Sequence, residues 1–109
     1  MRRAFVYRNN ELAGTLTEEN RKSYVFQYDD AWFKDESKPA VSLTLPKTQI
    51  EFRSPFLFPF FFNMLSEGVN RKLQSRQLKI DEEDNFGLLL ATAGYDTIGA
   101  VTVRPHNEE

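Results

Sequence analysis

The chain has 109 residues, no cysteine, one histidine, and 14 basic against 16 acidic side chains, for a net charge of −2. That length suits a single domain over residues 1–109, able to remove roughly two-thirds of its unfolded surface from water. The composition excludes disulfides, thiolate metal sites and a cysteine nucleophile, and the lone imidazole, His106, cannot by itself build a histidine zinc site or a Ser-His-Asp triad.

The pI near 5.5 argues against direct nucleic-acid binding, because such binders carry a basic field. No signal-peptide pattern is visible, and the longest apolar run, Phe56 to Leu65, is too short to span a bilayer and contains Pro59. A cytoplasmic protein with no membrane partner is expected.

Residues 4–8 alternate, Phe5 and Tyr7 against Ala4 and Val6, and Leu12, Gly14 and Leu16 follow at period two. Asn9-Asn10 between them tolerates positive φ and predicts a hairpin. A third strand follows, in which Tyr24, Phe26 and Tyr28 share a face, so the first third of the chain reads as a β-meander. Tyr28 and Trp32 read as core plugs, with an anchor pair as the alternative. A charged loop, Lys34 to Lys38, then precedes a strand over Val41 to Pro46, where proline ends the pairing.

Pro59 is placed to open a helix running to about Glu67, with Gly68 closing it. A second helix is predicted over Arg71 to Lys79. A third is expected to be capped by Asp81, with Glu82, Glu83 and Asp84 in its first turn, and stopped by Gly94. Ile98 to Val103 reads as a last strand and Arg104 to Glu109 as a polar tail. The fold class is therefore α+β, a small antiparallel sheet of N-terminal meander plus C-terminal strand, packed with about three helices.

No catalytic set assembles from these residues. Asp29-Asp30 and Asp81 to Asp84 read as solvated acids, since nothing around them supplies an apolar pocket to split their pKa values. Gly94 and Gly99 lack the Gly-Lys-Ser/Thr ending of a phosphate loop. No metal and no cofactor is expected.

Six of the ten phenylalanines, Phe52, Phe56, Phe58, Phe60, Phe61 and Phe62, crowd one stretch. So many rings imply a core and a partner together, because exposed aromatic surface invites aggregation. At 100° per residue, Phe60, Phe61, Met64 and Leu65 fall on one side of the helix from Pro59, and Phe62, Asn63 and Ser66 on the other. Two readings follow for Phe62: cover by the tail or the Lys34 to Lys38 loop, or a protein-binding anchor.

Phrases spread along nearly the whole chain resemble the N-terminal subdomain of the HipA family of serine/threonine kinase toxins. They are Gly14-Thr15-Leu16, Phe26-Gln27-Tyr28 with Trp32 four on, Val41 to Pro46, Phe60 to Gly68, Phe86-Gly87-Leu88-Leu89, and Gly94 to Val101. The chain departs from the family at Ser66, where proline is common. It also carries no ATP-binding loop, catalytic Asp motif or magnesium-binding motif, so it is not expected to be an enzyme. A free-standing module of this kind is similar to the HipS family, the small antitoxins of tripartite HipBST systems. The resemblance implies a HipT-like kinase toxin as partner and a HipB-like DNA-binding protein in a ternary complex. Phe62, Asn63, Met64, Ser66 and Glu67 are the candidate kinase contacts. The alternative is an excised non-catalytic subdomain of a longer HipA-type kinase.

Overall fold

The computed structural model describes residues 1–65, 68–93 and 101–105. Strands β1 (Arg2–Arg8), β2 (Glu11–Asn20) and β3 (Ser23–Tyr28) form the expected meander. Its first turn is Asn9-Asn10, with φ of 52° and 66°, the left-handed pair that matches strand twist in a tight hairpin. Helix α1 (Asp30–Lys34), strand β4 (Glu51–Ser54) and helices α2 (Pro59–Phe62), α3 (Gly68–Leu78) and α4 (Asn85–Thr92) follow, and β5 (Val101–Pro105) comes last. The sheet is antiparallel in the order β4-β3-β2-β1-β5, so the C-terminal strand returns beside the first.

Register explains the core. Ala4, Leu16, Phe26 and Phe52 lie in one cross-strand row, and Val6, Gly14 and Tyr28 in the next, with Val103 opposite Val6. This face is covered by Phe61 of α2 and by Phe86, Leu88 and Leu89 of α4, all buried. Gly14 is required where it stands: a Cβ there would meet the Gln27 carbonyl at 2.6 Å and the Phe26 ring at 2.8 Å. The ring of Phe26 occupies the space that any larger residue would need, and its own edge-on contact with Tyr28 is 4.9 Å between centroids.

A polar row closes one end of the same face. Glu18 is 6% exposed and accepts from Arg2 Nε at 2.9 Å, Arg2 Nη2 at 2.6 Å and the Tyr24 hydroxyl at 3.0 Å. The other edge of the Arg2 guanidinium grips Asp84 through Nη1 at 3.0 Å and Nη2 at 2.7 Å. Asp84 also accepts from the Gly87 amide at 3.1 Å, which makes it the N-cap of α4. A buried carboxylate is tolerable only when satisfied in this way. The clamp ties the first strand to the last described helix.

Several boundaries differ from the sequence reading. Val41 to Pro46 is not a strand but a loop. The Tyr28 hydroxyl accepts from Val41 N at 2.9 Å and donates to the Leu45 carbonyl, while Leu45 N bonds back to Ser42 O at 3.0 Å. Val41 and Leu45 are therefore both buried, and the alternation that suggested a strand straddles a turn. The Trp32 indole donates to Pro39 O at 2.9 Å and fixes the loop's entry, so Tyr28 and Trp32 are core as expected. The strand beside β3 is instead β4, whose alternating charges Glu51 and Arg53 suit a short sheet edge.

The helix from Pro59 ends at Phe62 rather than Glu67, and Ser66 and Glu67 lie outside the described residues. Gly68 does not close that helix but opens α3, at φ +61°. α3 starts three residues earlier than predicted and ends at Leu78, because Lys79 takes φ +58° and lets Ile80 N bond Ser75 O at 3.0 Å. α4 is capped by Asp84, not Asp81; Asp81 instead forms a turn, accepting from Glu83 N at 2.9 Å. β5 also takes in Arg104 and Pro105, assigned to the tail from sequence. Four helices are present among the described residues, one more than expected, the extra being α1. Gly94, Ile98, Gly99 and His106 fall outside them.

Candidate docking surface

Pro59 stands at the first position of α2, where its missing N–H costs nothing, and the turn is held by Phe62 N to Phe58 O at 3.0 Å and Asn63 N to Pro59 O at 2.9 Å. Tighter bonds continue the turn, Met64 N to Phe61 O and Leu65 N to Phe62 O, both 3.1 Å. This winding separates the rings. Phe61 is fully buried, with Phe60 at 5.3 Å, Phe26 at 5.8 Å and Phe58 at 6.5 Å between centroids, and Leu65 is buried beside it. Phe62 is 42% exposed on the opposite side. Asn63 is exposed and Met64 half-buried against the core.

The Phe62 ring lines an open groove with Arg71, Glu82, Glu83 and Asn85. Arg71 is held there by Nε donating to Glu82 O at 3.0 Å and Nη2 donating to the Asn85 side chain. The groove thus combines one aromatic wall with fixed polar walls. It has the makings of a protein contact, an apolar anchor within a polar rim. Among the described residues no cluster of three or more His, Cys, Asp or Glu could hold a metal ion.

Of the residues expected to meet a partner, the structure brings Phe62, Asn63 and Met64 together on one turn, while Ser66 and Glu67 are outside the described residues. Sequence reasoning missed other exposed apolar side chains. Leu43 is 98% exposed at the tip of the loop clasped by Tyr28, and Phe56 is 74% exposed after Ser54-Pro55, its amide bonded to Ser54 Oγ at 3.1 Å. Ser42 and Thr44 flanking Leu43, and Ser54-Pro55 before Phe56, are turn signals that could have revealed both. Val69 and Leu73 of α3 are exposed too. Among the described residues no helix is long and apolar enough to cross a membrane.

An antiparallel meander joined by a returning last strand, with helices packed on it and a half-exposed aromatic ring at its surface, defines a small α+β module. The profile of the HipA N-terminal domain matches residues 4–104, and the chain belongs to that family. The match is to the N-terminal domain alone, a non-catalytic region of HipA. A solved structure of the N-terminal domain of HipA toxin superposes with a TM-score of 0.73 at 27% identity, covering 100% of this chain and 96% of that one.

Two relatives from Sinorhizobium fredii (strain NBRC 101917 / NGR234) carry the names "Putative kinase Y4mE" and "Putative kinase Y4dM". They are 29% and 34% identical over 95% and 87% of this chain. The chain spans 24% of the length of each. An uncharacterized protein of Haemophilus influenzae (strain ATCC 51907 / DSM 11121 / KW20 / Rd) is 31% identical over 97% of this chain and 92% of its own length.

Proposed function

We propose that this chain is the antitoxin of a tripartite toxin-antitoxin system, a HipS-like subunit that binds and neutralises a separately encoded HipA-like serine/threonine kinase, HipT, by docking on it. It acts in the cytoplasm and has no catalytic activity of its own. The observation that carries the reading is Phe62, a large ring left 42% exposed beside a fully buried Phe61 on a module of the HipA N-terminal fold. A subunit that meets its kinase in trans lacks the effective concentration of a covalent tether, so it must hold on through buried anchors. The Haemophilus relative, of which this module makes up 92%, supports a free-standing form.

Phe62, Asn63, Met64, Ser66 and Glu67 form the proposed kinase contact. Operator binding enters through a HipB-like DNA-binding protein in the same complex. A second reading, an excised N-terminal subdomain of a longer HipA-type kinase, is favoured by the two Sinorhizobium relatives, in which the module covers 24% of the length. Gene context separates the two: a stop codon after Glu109 followed by a distinct kinase frame is expected. Co-expression with that kinase should yield a complex whose autophosphorylation is silenced. Failure to co-purify, or a complex with undiminished kinase activity, would overturn the antitoxin reading.

A further inference from the structure

Helix α3 is built with its apolar residues outward. None of its eleven residues is buried. Its half-buried positions are polar: Arg71 bonds Glu82 O and the Asn85 side chain, Ser75 Oγ donates to Ile80 O, and Gln74 lies between them. Val69 and Leu73, one turn apart, are 72% and 48% exposed, and Lys72 and Arg76, also four apart, are exposed with them. A surface helix normally turns its apolar stripe to the core. This one attaches by hydrogen bonds and leaves Val69 and Leu73 to water.

The charge is equally one-sided. Three of the chain's 14 bases and none of its 16 acids lie in α3, within a protein of net charge −2. Arg71, on the inner side of α3, also walls the groove that Phe62 lines, so α3 itself borders the docking surface described above.

We propose that the outer face of α3 is a second contact of that docking surface, seating Val69 and Leu73 in an apolar groove of the kinase rimmed by carboxylates that pair with Lys72 and Arg76. The inference rests on the kinase-docking reading and adds to it the chemistry of the partner. Anchors four residues apart are the signature of a helix laid in a groove, and flanking bases select an acidic rim and speed encounter. Duplex phosphate is a poorer occupant, because a few bases release few counterions and exposed valine and leucine gain nothing from it. A second copy of this face would set like charges against each other.

The test is calorimetric titration of the purified kinase with three forms of the full chain, at low and at high salt. The forms are the wild type, Phe62→Ala, and the double variant Lys72→Glu with Arg76→Glu. Thermal melts establish first that the variants are folded. The double variant should bind at least about tenfold more weakly at low salt and show a flattened salt dependence, as expected when rim charges are reversed. Phe62→Ala should weaken binding while keeping the salt dependence of the wild type, since it removes the ring and no charge. Wild-type binding that the double variant matches overturns the role of α3 and leaves the docking reading standing. No binding by the wild type overturns the docking reading itself, and α3 with it. A duplex-DNA mobility shift by the wild type that the double variant loses would assign the face to phosphate and overturn the proposal.

Discussion

Adjacent rings in the aromatic cluster have opposite fates, and single substitutions should separate them. Phe61 is fully buried among Phe26, Phe58 and Phe60, so Phe61→Asp would place an unpaired charge in the core and should unfold the domain. Phe62→Asp sits at a 42% exposed position and should leave the melting temperature near that of the wild type, while weakening kinase binding by about 2 kcal/mol or more. Melts paired with a kinase pull-down distinguish the two, and equal loss of folding in both variants would remove Phe62 as an anchor. Lys79 offers a prediction of the opposite sign. It holds φ +58° at the end of α3 with its side chain exposed, so Lys79→Gly should raise stability by about 1 kcal/mol, read from denaturant midpoints.

Between elements, the clamp of Arg2 on Glu18 and Asp84 is the main polar tie from β1 and β2 to α4. The hydrogen bonds from Arg2, against an opposing cost of burial, hold the Asp84 carboxyl below its usual value. The same bonds raise the Arg2 guanidinium further above any physiological pH, so Arg2 remains charged throughout the acid range. A carboxylate with a depressed folded-state pKa contributes stability that is fully present above its unfolded pKa and is lost as pH falls through the folded value. The loss therefore falls in the acid window that begins near pH 4 and extends below it. Asp84→Asn should remove this part of the acid sensitivity and cost about 1 kcal/mol at neutral pH, because Asn caps a helix as well as Asp but leaves Arg2 with neutral instead of charge-assisted hydrogen bonds. Urea titrations at neutral and acid pH would read both effects; an unchanged acid slope would rule out the clamp as its source. Gly87 belongs to the same device. Arg2 Nη1 would stand 3.2 Å from a Cβ there, and the Asp84 carboxylate closer still.

For the whole molecule, the proposed role requires binding without chemistry. Titration with ATP and magnesium should give no heat of binding, and micromolar affinity would contradict a purely docking subunit. The chain alone should also bind duplex DNA weakly, since its net charge of −2 leaves little counterion release to gain. A tight, salt-sensitive mobility shift by the purified chain would overturn that expectation and the dependence on a separate DNA-binding partner.

The sequence by itself determined the meander, the last strand and the division of Phe61 from Phe62, and it favoured the core for Tyr28 and Trp32. The strand and helix-face readings rest on local periodicity or on residues with strict backbone demands, such as Asn9-Asn10, and there the local signal agrees with the packing. Tertiary structure decided what depends on distant partners. Val41 to Pro46 alternates like a strand, yet the Tyr28 hydroxyl bonds both of its ends and makes it a loop. Asp84 rather than Asp81 caps α4 because Arg2, 82 residues away in sequence, reaches it. The outward apolar face of α3 was hidden for the same reason: its inner side is fixed by hydrogen bonds to Glu82, Asn85 and Ile80, and hydrophobic periodicity carries no record of polar attachment.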